Sequence, residues 1–504
     1  MHSHLTLLAT LALATSAIAQ TPEITRFQAS DADAGDHYGS SVAISGTTAV
    51  FGAPEDEDHG FYAGSAYVQF RDGADWIQQA KLIGATTDTS DRFGYDVDIS
   101  GDTIVVSALF GDGASITSGT AHLFHRVGTT WAETQVIAPN DGATGDWFGR
   151  SVSIDGNTLA IGAPQDDEFG FDSGSVYVYS FNGTTWNQQA KIVPADGFAH
   201  DNFGQSVCVS GDSLIIGAPF DDDRGSSSGS AYVFTRSGTT WTQEAKLTGT
   251  DSTSLDAFGY AVGMSGDRAI VGAYNANVGI FGVEAGAAFI FQRTAGVWAT
   301  GQKVIPAARA DRDFFGWSVA IEGDNAMVAA NGRDLAKGGA FHFQNTGGIW
   351  TENQELVASD AANSAQFAIS VDMDGERVVV GSHLNSTAAY LAGAGYQFDL
   401  FRLDLTPSMP IAGQLLSLDV TGGTPNATTW LAFSRAGSGS FSIPFLGATL
   451  DLLAPSQLGI RMTASPDGAA IWPLIVPTSA SGTTVWVQGL QAGHVTNPVR
   501  VTVL

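Results

Sequence analysis

The densest chemistry in this chain lies in three acidic runs: Glu55-Asp56-Glu57-Asp58, Asp166-Asp167-Glu168 with Asp172 close behind, and Asp221-Asp222-Asp223. Carboxylates packed this closely coordinate a hard cation through oxygen, supply the acid and base of a glycosidase, or keep a loop solvated. Asp56, Asp58, Asp166, Asp167, Asp221, Asp222 and Asp223 are therefore the candidate contacts for a ligand or a weakly held calcium ion, and solvated loops are the plainer alternative. A second series, Asp36, Asp91, Asp146, Asp201, Asp256 and Asp313, stands two residues before an aromatic each time. Turn chemistry explains it, with each carboxylate accepting backbone N–H groups. Recurrence also weighs against catalysis, because a catalytic site breaks the symmetry of its scaffold.

Other reactive constellations are missing. The sequence holds no Gly-x-Ser-x-Gly elbow, no His-Glu-x-x-His pair and no phosphate-binding Gly-Lys loop. His122 and His125, three apart on a strand, face opposite sides and make a poor metal pair. Cys208, between Val207 and Val209, reads as a small buried hydrophobe. No catalytic residue and no cofactor beyond weak calcium contact is expected.

The acids are carried by a repeat. Aromatic-Gly pairs at Tyr38-Gly39, Phe93-Gly94, Phe148-Gly149, Phe203-Gly204, Phe258-Gly259 and Phe315-Gly316, with a decayed Phe367-Ala368, recur about every 55 residues. Thirteen residues after each glycine comes Gly-Ala-Pro or a relic of it, as at Gly52-Ala53-Pro54 and Gly217-Ala218-Pro219. Between Phe203 and Leu247 the pattern reads as four strands separated by turns at Ser210-Gly211-Asp212 and Ser237-Gly238-Thr239-Thr240, with the acidic loop between strands two and three. Four antiparallel strands per repeat make a propeller blade, and seven repeats make a seven-bladed propeller. Gly39, Gly94, Gly149, Gly204, Gly259 and Gly316 are the structural markers, permitting φ > 0 where each inner strand begins. Trp76, Trp131, Trp186, Trp241, Trp298 and Trp350 open the outer strand of six repeats and are expected to pack there rather than stack on sugars. The last repeat lacks its outer strand. The stretch from about Glu23 to Gln28 aligns with that strand, so the N-terminus is expected to complete the seventh blade and remove two exposed sheet edges. Loops before strand one and after strand two then emerge on one face, which is expected to be acidic.

Residues 1–19 read as a secretory signal peptide, with an apolar run from Leu5 ending in Ala17-Ile18-Ala19. No later stretch is apolar enough to span a bilayer. One cysteine excludes an internal disulfide framework. A formal charge of −29 disfavours nucleic acid and anionic membranes as partners. Asn182, Asn385 and Asn426 open glycan-acceptor triplets that the turn chemistry of Asn already explains. The propeller is expected over 20–405. From 406 to 504 the register stops, prolines punctuate short alternating runs, and a small C-terminal β-sandwich is expected.

The aromatic-Gly and Gly-Ala-Pro register resembles the FG-GAP repeat family, the seven-bladed propeller at the head of integrin α chains and of many exported bacterial proteins. The resemblance covers about Pro22 to Phe401. It implies a secreted or cell-surface protein that recognises an extracellular protein or glycan and is not an enzyme; a carbohydrate-active enzyme or lectin, or a structural surface or matrix component, are the alternatives. The family's calcium-binding members carry an Asp-x-Asp-x-Asp-Gly loop between the two motifs. This chain has only short turns there, such as Asp155-Gly156-Asn157, too few oxygens for a calcium cage.

Overall fold

The computed structural model describes residues 23–73, 75–278 and 283–400, together with the backbone of strands between Asp404 and Thr502. Contacts divide the chain into two units, Met1–Phe398 and Asp399–Leu504.

Among the described residues of the first unit, seven antiparallel sheets follow one another, each in simple up-and-down order. Blade 4 is representative: Ser206–Ser210, Ser213–Ala218, Ser230–Ser237 and Thr240–Leu247. Its second strand is buried at every position, and its outer strand alternates between half-buried and exposed residues. This is the pattern of a sheet stacked on both faces at its centre and wet at its rim. In blade 5 the fourth strand is split into Val297–Trp298 and Gln302–Val304.

The repeated motifs meet for identifiable reasons. In six blades the residue after the aromatic donates its N–H to the first residue of the Gly-Ala-Pro position, as Gly204 N does to the Gly217 carbonyl at 3.0 Å. The marker glycines adopt φ between +83° and +97° to do so. The aromatics themselves are fully buried. Each is wedged between its own blade and the one before, Phe258 for instance packing on Ile215 and Val233 as well as Val262 and Val271. Each also stacks edge-on or tilted against a third-strand ring, with centroids 5.2–5.5 Å apart in all seven blades. Aromatic pairs in this geometry add to their area burial.

The ring closes as the sequence requires. Thr25–Phe27 pairs antiparallel with Ala394–Asp399, Arg26 opposite Tyr396, and becomes the outer strand of the seventh blade. The strand is shorter than the six residues expected from sequence. Inner strands of consecutive blades are neighbours, and that of blade 7, Val371–Asp374, lies beside Val42–Ser45 of blade 1.

An inner strand is a sheet edge with unpaired N–H groups, and this fold satisfies them sideways. Side chains of one inner strand accept N–H bonds from the next: Asp96 from Val152 (2.8 Å), Asp98 from Ile154 (2.7 Å), Ser151 from Val207 (3.0 Å), Ser153 from Val209 (3.1 Å) and Asp372 from Ile44 (2.8 Å). A belt of short polar side chains thus links blade to blade around a central channel of about 790 Å³. Cys208 occupies one of these positions. It is half-buried, lines the channel, and its Sγ accepts the Met264 N–H at 3.3 Å. The thiol serves as a latch, which corrects its reading as a buried hydrophobe.

In the second unit, runs read as strands from sequence are strands: Leu415–Thr421, Thr428–Ser434, Ala470–Ile475, Thr484–Gln491 and Val499–Thr502. Leu415–Thr421 pairs with Ala470–Ile475, and Thr484–Gln491 lies between Thr428–Ser434 and Val499–Thr502. The side chains on which sandwich packing depends, and the expected leader, lie outside the described residues.

Candidate functional site

The acidic loops are tied to the core by one recurring cluster. In blades 1, 3 and 4 an aspartate near the start of the loop is buried and accepts a hydrogen bond from the third-strand tyrosine that stacks on the motif aromatic: Asp56 from Tyr67 (2.7 Å), Asp166 from Tyr177 (3.0 Å) and Asp221 from Tyr232 (2.8 Å). A fourth-strand lysine lies over the same ring and gathers three carboxylates. Lys81 holds Asp31, Asp56 and Asp58; Lys191 holds Asp141, Asp166 and Glu168; Lys246 holds Asp196, Asp221 and Asp223, all within 3.0 Å. Asp167 and Asp222 instead close their own loops, accepting N–H bonds from Asp172 and Ser227. All seven candidate carboxylates are thus engaged within the chain, and an ammonium group sits where the oxygens of Asp56 and Asp58, of Asp166, and of Asp221 and Asp223 converge.

Comparison of the blades shows that these residues vary together. Blade 7 has Tyr396, Asn385 and Arg26 with Asp360, and Asn385 is buried inside that cluster rather than presented as a glycan acceptor. Blade 5 has Phe289, with no hydroxyl, and Ala276 in place of the aspartate. Blade 6 reverses the charges, Arg333 binding Glu355 at 2.6 Å above Phe341. Co-variation of this kind identifies a structural knot. Burial would raise the Asp221 carboxyl, but bonds from Lys246, the Asp223 N–H and Tyr232 overcome it and hold it below the ordinary carboxylate range. Replacing Lys246 with alanine leaves Asp221 buried without its counter-ion and is expected to cost about 3 kcal/mol at pH 7. A depressed carboxylate contributes stability above its unfolded pKa and loses it as pH falls, so the deficit relative to wild type shrinks in melts taken below pH 4.

The aspartates before the aromatics act as expected. Asp36, Asp91, Asp146, Asp201, Asp256 and Asp313 each accept the N–H three residues back, at 2.6–2.8 Å. The Trp series packs on the rim: Trp131 and Trp241 donate to Gln79 and Gln189 of the preceding blade, each beneath an arginine. His122 is buried and bonded to Glu133 at 2.6 Å, whereas His125 faces outward.

The sevenfold pattern breaks at the channel mouth. The residue after each motif glycine, or after Ala368 in blade 7, stands at the entry to an inner strand and lines the channel, and there the chain places Ser40, Tyr95, Arg150, Gln205, Tyr260, Trp317 and Ile369. Arg150 lies over the Tyr95 ring at 5.3 Å and meets the Tyr260 phenol across the channel, which raises its pKa against the opposing effect of burial. Tyr260, Tyr274 and Trp317 form a half-exposed aromatic patch with centroids 4.4–5.1 Å apart, extended by Phe314. In blades 7 and 1, His37 bonds Glu55 at 3.3 Å and stacks edge-on against His383, whose imidazole burial keeps neutral, its pKa pushed down to about 3. The loops after strand two zip onto the loops before strand one, as Ser90 N to the Phe61 carbonyl (2.8 Å) and His200 N to that of Phe171 (2.8 Å). Both loop sets therefore share this face, and they carry exposed Phe61, Phe171, Phe198, Leu335 and Tyr390. Sequence reasoning passed over this mouth. Its signal was available: seven equivalent positions, six of them following a motif glycine and one following Ala368, hold six different residue types.

Deeper in the channel, desolvation pushes Asp96 and Asp98 up to about 7 and Asp372 to about 8, the last also through the charge of Asp98. A raised carboxyl contributes its stability while protonated, and the contribution is lost as pH rises through the folded value. The melting temperature is expected to fall from about pH 4, the ordinary aspartate value, to about pH 8 and to level off above it. Asp98→Asn with Asp372→Asn, which keep the accepting oxygens, flatten that slope and recover on the order of 1–2 kcal/mol at pH 8.5. A slope unchanged in the double variant overturns the assignment.

Among the described residues no group of three or more His, Cys, Asp or Glu side chains is arranged to hold a metal ion, and no helix is long and apolar enough to cross a membrane. No curated protein matches the sequence. The FG-GAP repeat profile matches seven times, at 22–69, 76–124, 131–179, 186–234, 241–291, 298–343 and 350–398. Each match runs from an outer strand into the next blade, the phase that the closed ring imposes, and the chain belongs to the FG-GAP repeat family.

Proposed function

We propose that this is an exported, non-enzymatic recognition or adhesion protein that engages an extracellular protein or glycan through the channel-mouth face of its propeller. The observation that carries this reading is the asymmetric cluster of Tyr95, Arg150, Tyr260 and Trp317, half-exposed in the channel of an otherwise repeating ring and extended by Tyr274. Aromatic and arginine side chains in a concave setting are the residue types that dominate recognition sites. The acidic loops support the mouth and keep the rim soluble, since their carboxylates are bound internally. Export rests on the leader-like residues 1–19, and FG-GAP repeats are common in extracellular proteins. The channel aspartates each hold a backbone N–H of the next blade, which ties them to the scaffold and favours binding over turnover.

The test is an array of glycans and extracellular matrix proteins probed with wild type and with the Tyr260→Ala, Trp317→Ala double variant. Selective binding lost in the double variant with an unchanged melt supports the reading. Absence of any array binding by wild type, or robust glycosidase turnover, overturns it.

A further inference from the structure

We infer that the channel mouth is built for a saccharide bearing a carboxylate, of the uronic acid class, with Arg150 as the carboxylate anchor; this rests on the recognition role just proposed. Arg150 is half-buried within the channel, and among the described residues no carboxylate lies within ion-pair distance of it. Other half-buried arginines do meet acids: Arg126, Arg236, Arg268 and Arg293 at 2.5–2.9 Å, Arg333 at 2.6 Å, and Arg26 and Arg92 at 3.3–3.4 Å. The guanidinium is held between two phenols, and the nearest charge acting on it is that of Asp96, which is not in ion-pair contact, in a chain of net charge −29. Removing a charge from water without a partner costs several kcal/mol, and an incoming carboxylate recovers that cost through a bidentate pair.

The surroundings select the rest of the ligand. Tyr260 and Trp317 offer aromatic faces for the C–H face of a sugar ring. Below them the wall changes to hydroxyls and carboxylates. Ser151, Ser318 and Ser370 each accept an N–H from the next blade, which leaves their own O–H free to donate. Asp96 and Asp372 each accept N–H bonds from the next blade and from the following residue of their own strand, and a carboxyl with about four lone-pair sites can still accept from a sugar hydroxyl. A polyol satisfies such a wall. An acidic peptide would bring several carboxylates close to Asp96, Asp98 and Asp372, whose ionisation is already disfavoured there. A single uronate near Arg150, followed by hydroxyls, meets both requirements, and the channel is of the size that holds a small ligand.

Calorimetry on the full chain with galacto-oligosaccharides ending in one uronic acid residue, with the neutral galacto-oligosaccharides and with a diglutamate peptide, tests the inference. Wild type is expected to bind the uronates and not the neutral sugars, more weakly as salt is raised. Arg150→Gln is expected to lose at least tenfold in affinity, with Arg150→Lys intermediate because it cannot pair bidentately. The Arg150→Gln melt is the folding control: an affinity loss with a melt close to wild type marks a ligand anchor, whereas a purely structural arginine would lower the melt in step with the affinity. No uronate binding by wild type, equal affinity in Arg150→Gln, or preference for the peptide overturns the ligand class. Retained array binding to another ligand in that outcome leaves the recognition role standing, so the two failures are distinguishable.

Discussion

Deleting residues 23–30 is expected to lower the melting temperature by about 10 °C or more and to make the protein associate. Three losses add up. Phe27 is buried against Phe51 and Trp76, with ring centroids at 4.9 and 5.3 Å, and losing such a side chain costs about 3–5 kcal/mol. Arg26 leaves Asp360 and Asn385 behind, and the third strand of blade 7 loses its pairing with Thr25–Phe27. For a chain of this size each kcal/mol is worth roughly 2 °C. Association follows because Ala394–Asp399 becomes an open sheet edge. Phe27→Ala isolates the packing loss and should lower the melt by roughly half as much, without association. Calorimetry and light scattering over a concentration series check both; a truncated protein that melts like wild type would show that the seventh blade does not depend on the N-terminal strand.

Gly229→Ala is expected to cost more than about 4 kcal/mol and to leave little folded protein at 37 °C. Gly229 stands just before the third strand of blade 4 at φ +80°, and a Cβ there would lie 2.1 Å from the Phe258 carbonyl oxygen and 2.5 Å from its nitrogen. Both obstacles are backbone of the next blade, which cannot move without shifting the wedge aromatic. The cost therefore combines a left-handed conformation, about 1–2 kcal/mol for a side chain, with separation of two blades. Gly238 is the control. It sits at φ +64° in the outer turn with nothing near its Cβ direction, so Gly238→Ala should cost only the conformational part. Urea melts of the two variants give the comparison, and equal losses would mean that the inter-blade contact carries no load. The same approach recurs at Gly64 against Phe93 and at Gly393 against Tyr38, the latter across the ring closure.

Much of this scaffold was legible in the residues because it is built from local rules repeated in phase. The aromatic-Gly pairs, the strand lengths and the missing seventh Trp sufficed to place the blades and to bring residues near Arg26 beside the last one. The glycine before each third strand escaped notice, since its constraint comes from the neighbouring blade and nothing in its own segment reveals it. The acidic runs were conspicuous, but their internal partners were not legible. Asp56 or Asp221 looks like a free carboxylate until Lys81 or Lys246, about 25 residues on, is found at the same place, with a tyrosine between.

By itself, then, the sequence determined a ring of seven four-stranded sheets sealed by its own N-terminal strand, because hydrophobic alternation and left-handed glycines act over a few residues and repeat. Only the tertiary structure decided which charges are spent internally and which remain for a partner. Tyr95, Arg150, Tyr260 and Trp317 lie about 55 residues or more apart and share no local signal. They meet because closing the ring turns one residue per blade toward a common axis, and a position repeated in sequence becomes a single site only when the circle is complete.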